Sequence, residues 1–169
     1  MACAPTPPAL LPIALADVCA HQRRKPTASL LPQASRRALE AATGAPVPMA
    51  RFRPNIVVDG GDLAPYDEDA WTAVRTGRAH GAAGGALRLS LVKPCSRCAV
   101  TCVDQETAQS GAEPLRSLAR TRSGALLAER QGVFEAHPEW ARQSFFSWNA
   151  VLEGPGTLCE GGSIECEAR

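Results

Sequence analysis

Three cysteines, Cys95, Cys98 and Cys102, fall within eight residues of the stretch VKPCSRCAVTCVDQET at 92–107. Thiols at this spacing support four chemistries. A structural zinc site needs four ligands, commonly two close pairs. Cys95-x-x-Cys98 is one pair, but Cys159 and Cys166 are spaced too widely for a second, and His80 and His137 are isolated. A redox pair of the thioredoxin type sits at a helix N-terminus, whereas Val100, Thr101 and Val103 predict a strand here. Small thiols also simply fill cores, which suits Cys102 and extends to Cys98. Finally, one thiolate can ligate a soft metal such as molybdenum, copper or an iron–sulfur centre. Lys93 and Arg97 flank Cys95 and favour its ionised form. Residue types alone leave the four readings open.

The elements that must position these thiols are mostly strands. LRLSLVKP (87–94) alternates and leads into the cysteines as a strand, and AVTCVD (99–104) predicts a second one. PNIVVDGG (54–61) has the β-branched centre and glycine close of a buried strand. SFFSWNAVLEGPGTLCEGGSIEC (144–166) holds one or two strands around a Gly-Pro-Gly turn. Helices are short. SRRALEAAT (35–43) predicts one with Ser35 as N-cap, Leu39 inward and Gly44 as its stop. PLRSLARTR (114–122) predicts another, with Pro114 in its first turn. DEDAW (67–71) is a half-turn that seats Trp71, and GRAHGAAGGA (77–86) is a loop by composition. Residues 1–29, with prolines at 5, 7, 8, 12 and 26 and the basic run HQRRK, read as irregular, leaving 30–169 as one α+β, mostly β domain.

Composition narrows the function classes. The 18 basic and 17 acidic side chains nearly cancel, so no generic attraction to nucleic acid or anionic lipid is expected. Seven cysteines in 169 residues are too sparse for a disulfide scaffold and odd in number, which points to a reducing compartment, cytoplasmic or mitochondrial. The apolar start MACAPTPPALLPIALADVCA is broken by four prolines and Asp17, so no membrane span is expected, and a degenerate organelle-targeting segment is an alternative for it.

PVPMARFRPNIVVDG (46–60), YDEDAW (66–71), KPCSRCAVTCVDQET (93–107), EPLRSLARTR (113–122) and VLEGPGT (151–157) occur in one order. Together they resemble the MOSC domain, named for the C-terminal part of molybdenum cofactor sulfurases. The variety most similar is that of the mitochondrial amidoxime reducing component and its bacterial relatives. The resemblance implies a barrel-like, mostly β fold that binds the molybdenum–pyranopterin cofactor. It implies that Cys95, the first cysteine of C-x-R-C, supplies the thiolate to molybdenum. It gives Arg53 and Asn55 of the R-P-N motif to the cofactor's phosphate and pterin, with Asn149 and Ser35 as further contacts. A guanidinium fork suits a phosphate, and a carboxamide offers both donor and acceptor to a pterin edge. Asp104 is placed either to anchor nearby donors or to cap a turn.

The resemblance also implies an activity, reduction of N–O bonds in small N-oxygenated substrates, with electrons from a cytochrome b5 and its flavin reductase. The alternative is a carrier that holds the cofactor, sulfurated or not, as in the sulfurase C-terminal domain, whose pyridoxal phosphate belongs to a separate domain. A non-functional fragment is the third reading. Three departures stand out. The family's F-G-Q-N has become Phe146, Ser147, Trp148, Asn149, its V-D-P-x-T-G has become VDQETA (103–108), and 77–86 looks inserted. The N-terminal β-barrel domain of relatives, which adds cofactor contacts, is expected to be absent.

Overall fold

The computed structural model describes residues 11–15, 27–60, 62–76, 86–154 and 158–168. Seven strands form the frame: β1 (Leu11–Leu15), β2 (Thr27–Pro32), β3 (Ile56–Val58), β4 (Trp71–Thr76), β5 (Arg88–Arg97), β6 (Ser144–Glu153) and β7 (Ser163–Ala168). They close into a barrel in the order β1-β3-β2-β6-β5-β4-β7. Among the described strands only β2 and β3 run parallel, and the helix α1 (Gln33–Thr43) makes the crossover a parallel pair requires. Three further short helices, α2 (Leu115–Thr121), α3 (Gly124–Ala128) and α4 (Gly132–Glu135), lie between β5 and β6 in sequence.

Alternation sorts the side chains. Leu89 and Leu91 of β5, Ala28 and Leu30 of β2, and Trp148 and Ala150 of β6 fill the barrel with Ile56, Val74 and Ile164. Leu31 and Phe146 instead meet Leu39, Val47, Phe52 and Leu118, a second core beneath α1 and α2. A third cluster gathers Leu127, Phe134, Trp140 and Phe145. The α+β, mostly β architecture is thus the one expected.

Local expectations fare unevenly. α1 ends at Gly44, whose left-handed φ of 71° lets its N–H reach the Glu40 carbonyl at 2.9 Å. Its start differs: the helix leaves β2 directly, with Pro32 as N-cap, and Ser35 lies inside the first turn, fully buried. Residues 99–102 form a 3₁₀ turn, not a strand. The Thr101 amide and hydroxyl both donate to the Cys98 carbonyl, at 3.1 and 2.9 Å, and this tight turn overrides the β-branched pattern. The N-terminal segment is not wholly irregular either, because Leu11–Leu15 pairs with both β3 and β7. Pro12 sits at the short two-pair seam with β7, where few ladder donors are needed. Most of the 77–86 loop lies outside the described residues.

Candidate functional site

β5 carries Cys95 to the rim of the barrel. Its register against β6 slips twice, between Leu91 and Lys93 and between Pro94 and Ser96. Such bulges re-aim side chains; the first slip precedes Cys95 and the second spans it, with the extra residue on β6. Pro94 is buried, Cys95 is half-buried, and Cys98 is exposed. Cys102 is 4% exposed, a core filler as expected; Cys98 is not one, because it stands outside as the residue that starts the 3₁₀ turn. The five described cysteines are free thiols, and no group of three Cys, His, Asp or Glu side chains suited to a metal occurs among the described residues. The Cys95 Sγ makes one weak contact, 3.9 Å to the Ser96 carbonyl.

Arg97 is more than a charge beside Cys95. Its guanidinium proves to be a strut. Nε donates to the Phe146 carbonyl at 2.9 Å, Nη1 to the Phe52 carbonyl at 3.0 Å, and Nη2 to the Ser147 hydroxyl. Its carbon lies 5.4 Å from the Phe52 ring centre. No carboxylate pairs with it among the described residues. Burial lowers its pKa, and the neighbouring Cys95 and Cys98 sulfurs oppose that shift.

The R-P-N segment follows a 3₁₀ turn, Met49–Phe52, that ends on Arg53 in the left-handed region, φ 47°. Arg53 is exposed. Asn55 faces β2: its Oδ1 accepts from the Ser29 amide and its own amide donates to the Ser29 carbonyl, both at 2.9 Å. The loop after the cysteines docks on the same turn. Arg51 Nη2 meets Asp104 Oδ2 at 3.0 Å, and Gln105 Nε2 donates to the Ala50 carbonyl at 2.8 Å. Asp104 both anchors and caps. Its Oδ1 accepts from the Glu106 and Thr107 amides and the Thr107 hydroxyl, and these bonds hold its pKa below the usual value. The loop keeps its turn without the family's glycine because Ala108 adopts φ 58° in its place.

Asn149 lies in β6 between Ser29 of β2 and Lys93 of β5. Asn55, just before β3, therefore forms a row with Ser29, Asn149 and Lys93 of β2, β6 and β5, with Cys95 two residues beyond Lys93. Ser147 takes φ 73° where the family has glycine, and its hydroxyl lies 3.2 Å from that of Ser29. Trp148, which stands where the family has glutamine, does not crowd this face. It points into the barrel, 1% exposed, and its Nε1 donates to Asp69 Oδ1 at 2.9 Å. Asp69 also takes both bonds of Arg122 Nη2, at 3.0 and 2.8 Å, while the Arg122 guanidinium covers the Tyr66 ring at 4.2 Å.

Ser35 is placed away from this row. Its hydroxyl donates to Glu68 Oε2 at 2.7 Å and accepts from the Tyr66 amide at 2.9 Å. Glu68 is fully buried, and its other oxygen has no partner. Burial, then repulsion from Asp69, pushes its pKa up to about 7, against the Ser35 hydrogen bond. Sequence reasoning missed Ser29, Glu68 and the strut role of Arg97; the arginine inside C-x-R-C was the one available signal.

Comparison with known proteins agrees with this architecture. The MOSC domain model matches residues 20–165. Molybdenum cofactor sulfurase 2 of Culex quinquefasciatus is 37% identical over 87 residues, which cover 52% of this chain and 10% of that protein. Mitochondrial amidoxime-reducing component 1 of Homo sapiens is 32% identical over 136 residues, 80% of this chain and 35% of that protein. Molybdenum cofactor sulfurase of Danio rerio is 36% identical over 87 residues, 52% of this chain and 9% of that protein. The chain thus spans about a tenth to a third of the length of these relatives.

Proposed function

This chain belongs to the MOSC domain family, and on that premise we propose that it binds a molybdenum–pyranopterin cofactor with the Cys95 thiolate as protein ligand to the metal. The observation that carries this reading is the setting of Cys95. A half-buried thiol stands where β5 and β6 slip register, with the Arg97 guanidinium, free of any carboxylate among the described residues, two positions on and an exposed one, Arg53, on the loop that Arg97 bonds. This donor set fits the group. It offers one soft ligand for the metal and a fork for an anionic phosphate. Arg53 would hold the phosphate, and Asn149 would present its carboxamide to the pterin. Asn55 commits its oxygen to Ser29, so its part is to fix where Arg53 stands. Ser35 acts at one remove, seating the Tyr66–Ala70 turn against α1.

When bound, the cofactor supplies the two-electron chemistry that reduces an N–O bond. We assign that reaction to this domain, with small N-oxygenated compounds as substrates and electrons from a cytochrome b5 and its flavin reductase. A second reading, a non-catalytic carrier of the cofactor, is favoured by the sulfurases among the relatives, which align over about half of this chain. Cysteine variants made in cells competent for cofactor synthesis test both. Cys95→Ser should lose molybdenum and keep its fold, while Cys98→Ser and Cys102→Ser should keep the metal at a packing cost of about 1 kcal/mol or less. Equal loss of metal in Cys95→Ser and Cys98→Ser would sink the single-ligand reading. Metal retained without turnover by an artificial reductant would select the carrier.

A further inference from the structure

Two parts of the proposed site, the cysteine strand and the R-P-N loop, lie on strands that do not touch. In the barrel order, β6 and β2 stand between β5 and β3. The backbone ladder that should fix their spacing is weak at this level. β5 and β6 slip register once before Cys95 and again across it, Ser147 of β6 is left-handed, and β3 is only three residues long. Side chains take over where the ladder lapses. Arg97 Nε holds the Phe146 carbonyl at 2.9 Å and Nη2 holds the Ser147 hydroxyl. The Ser147 hydroxyl meets that of Ser29 at 3.2 Å. Ser29 in turn is locked to Asn55 by two bonds of 2.9 Å. The Arg97 Nη1 bond to the Phe52 carbonyl, 3.0 Å, closes the ring directly onto the loop.

We infer that Arg97, acting through Ser147 and Ser29, sets the distance between the Cys95 thiol and the Arg53–Asn55 loop, as the positioning residue for both halves of the site. The inference rests on the cofactor reading above. Only a planar fork can reach two main-chain carbonyls and a hydroxyl in three directions. An ammonium group keeps the charge and loses that geometry, so Arg97→Lys separates position from electrostatics. Ser147→Ala removes the hydroxyl and leaves the left-handed backbone equally disfavoured.

The test uses the full chain with two readouts. In cofactor-free protein, amide exchange at Arg53 and Asn55 should speed up at least threefold in Arg97→Lys and in Ser147→Ala. Exchange at Val74 and Arg75 of the distant β4 should stay within twofold, since local opening and global unfolding report separately. In protein from cofactor-competent cells, molybdenum per folded chain should fall at least threefold in both variants. Exchange at Arg53 and Asn55 that is unchanged, or that rises only in step with β4, overturns the inference. If Arg97→Lys does not fold, Ser147→Ala decides by the same criteria. Wild-type protein that holds no molybdenum overturns the cofactor reading instead, and the exchange comparison still decides the positioning role.

Discussion

Replacing Ala108 by glycine should make this protein more stable, although glycine usually does the opposite. Ala108 is exposed and sits at φ 58°, with its amide donating to the Asp104 carbonyl at 2.9 Å. An L-residue in the left-handed region costs roughly 1–2 kcal/mol, because its Cβ crowds the following carbonyl. Glycine removes that strain but adds freedom to the unfolded chain, worth about 0.4–1 kcal/mol. The balance favours glycine by about 0.5–1 kcal/mol, and a chain of this size gains about 2–4 °C in Tm per kcal/mol. A rise of about 2 °C is expected in calorimetry or thermal circular dichroism. Ala38→Gly, the same chemical change inside α1, should lower stability by about 0.5–1 kcal/mol. If both variants fall together, the loop does not hold Ala108 in a left-handed turn and the reasoning fails.

Three further outcomes follow from the packing. Glu68 binds its proton more tightly folded than unfolded, pKa about 7 against an ordinary 4.5. The native state therefore holds more protons in that window, and stability falls as pH rises from 4.5 to 7, by on the order of 3 kcal/mol. Glu68→Gln, which keeps an acceptor for Ser35 and faces the same Tyr66, Asp69 and Arg122, should flatten that slope in urea titrations across pH 5–8; an unchanged slope refutes the assignment. Trp148→Gln, which restores the family's side chain, should cost roughly 3 kcal/mol or more by emptying the barrel centre and leaving Asp69 without its indole donor. Gly124→Ala would place a Cβ 2.2 Å from the Trp140 carbonyl oxygen, so α3 must shift, and a loss of about 1–3 kcal/mol is expected in chemical denaturation.

Strand β5 was legible because Leu89 and Leu91 alternate with Ser90 and Val92 under a simple in-and-out rule. The 99–102 turn was not, since Val100 and Thr101 carry β-type side chains and the deciding bond, from the Thr101 hydroxyl to Cys98, is a local competitor that composition does not weigh. Ser35 satisfied every rule for an N-cap, yet Pro32 ends the strand so abruptly that the helix starts three residues earlier. Cys95, Arg53, Asn55 and Asn149 were named from motifs, and the row that joins Asn55 to Asn149 and Lys93 depends on strand order, which no single segment encodes. Arg97 escaped for the same reason: its three acceptors lie 45 to 50 positions away in sequence.

Four described non-glycine residues have positive φ: Arg53, Tyr66, Ala108 and Ser147. Arg53 is the exposed guanidinium of the R-P-N loop, Ser147 receives the Arg97 fork, and Ala108 closes the loop that docks on the Arg53 turn through Arg51 and Gln105. Each such residue costs on the order of 1–3 kcal/mol and persists only where its surroundings over-determine it. At Ser147 and Ala108 the residue that would relieve the strain, glycine, has been lost, yet the backbone keeps the shape glycine would have given. Hydrogen bonds compensate: the Ser147 hydroxyl gains Arg97 and Ser29, and the Ala108 turn gains three bonds to Asp104 Oδ1. At Ser147 the left-handed backbone also joins Phe146, in the core beneath α1 and α2, to Trp148, in the barrel, so packing on both sides holds it there. The strain at Arg53, Ser147 and Ala108 is thus held by hydrogen bonds and packing on the face that carries Cys95.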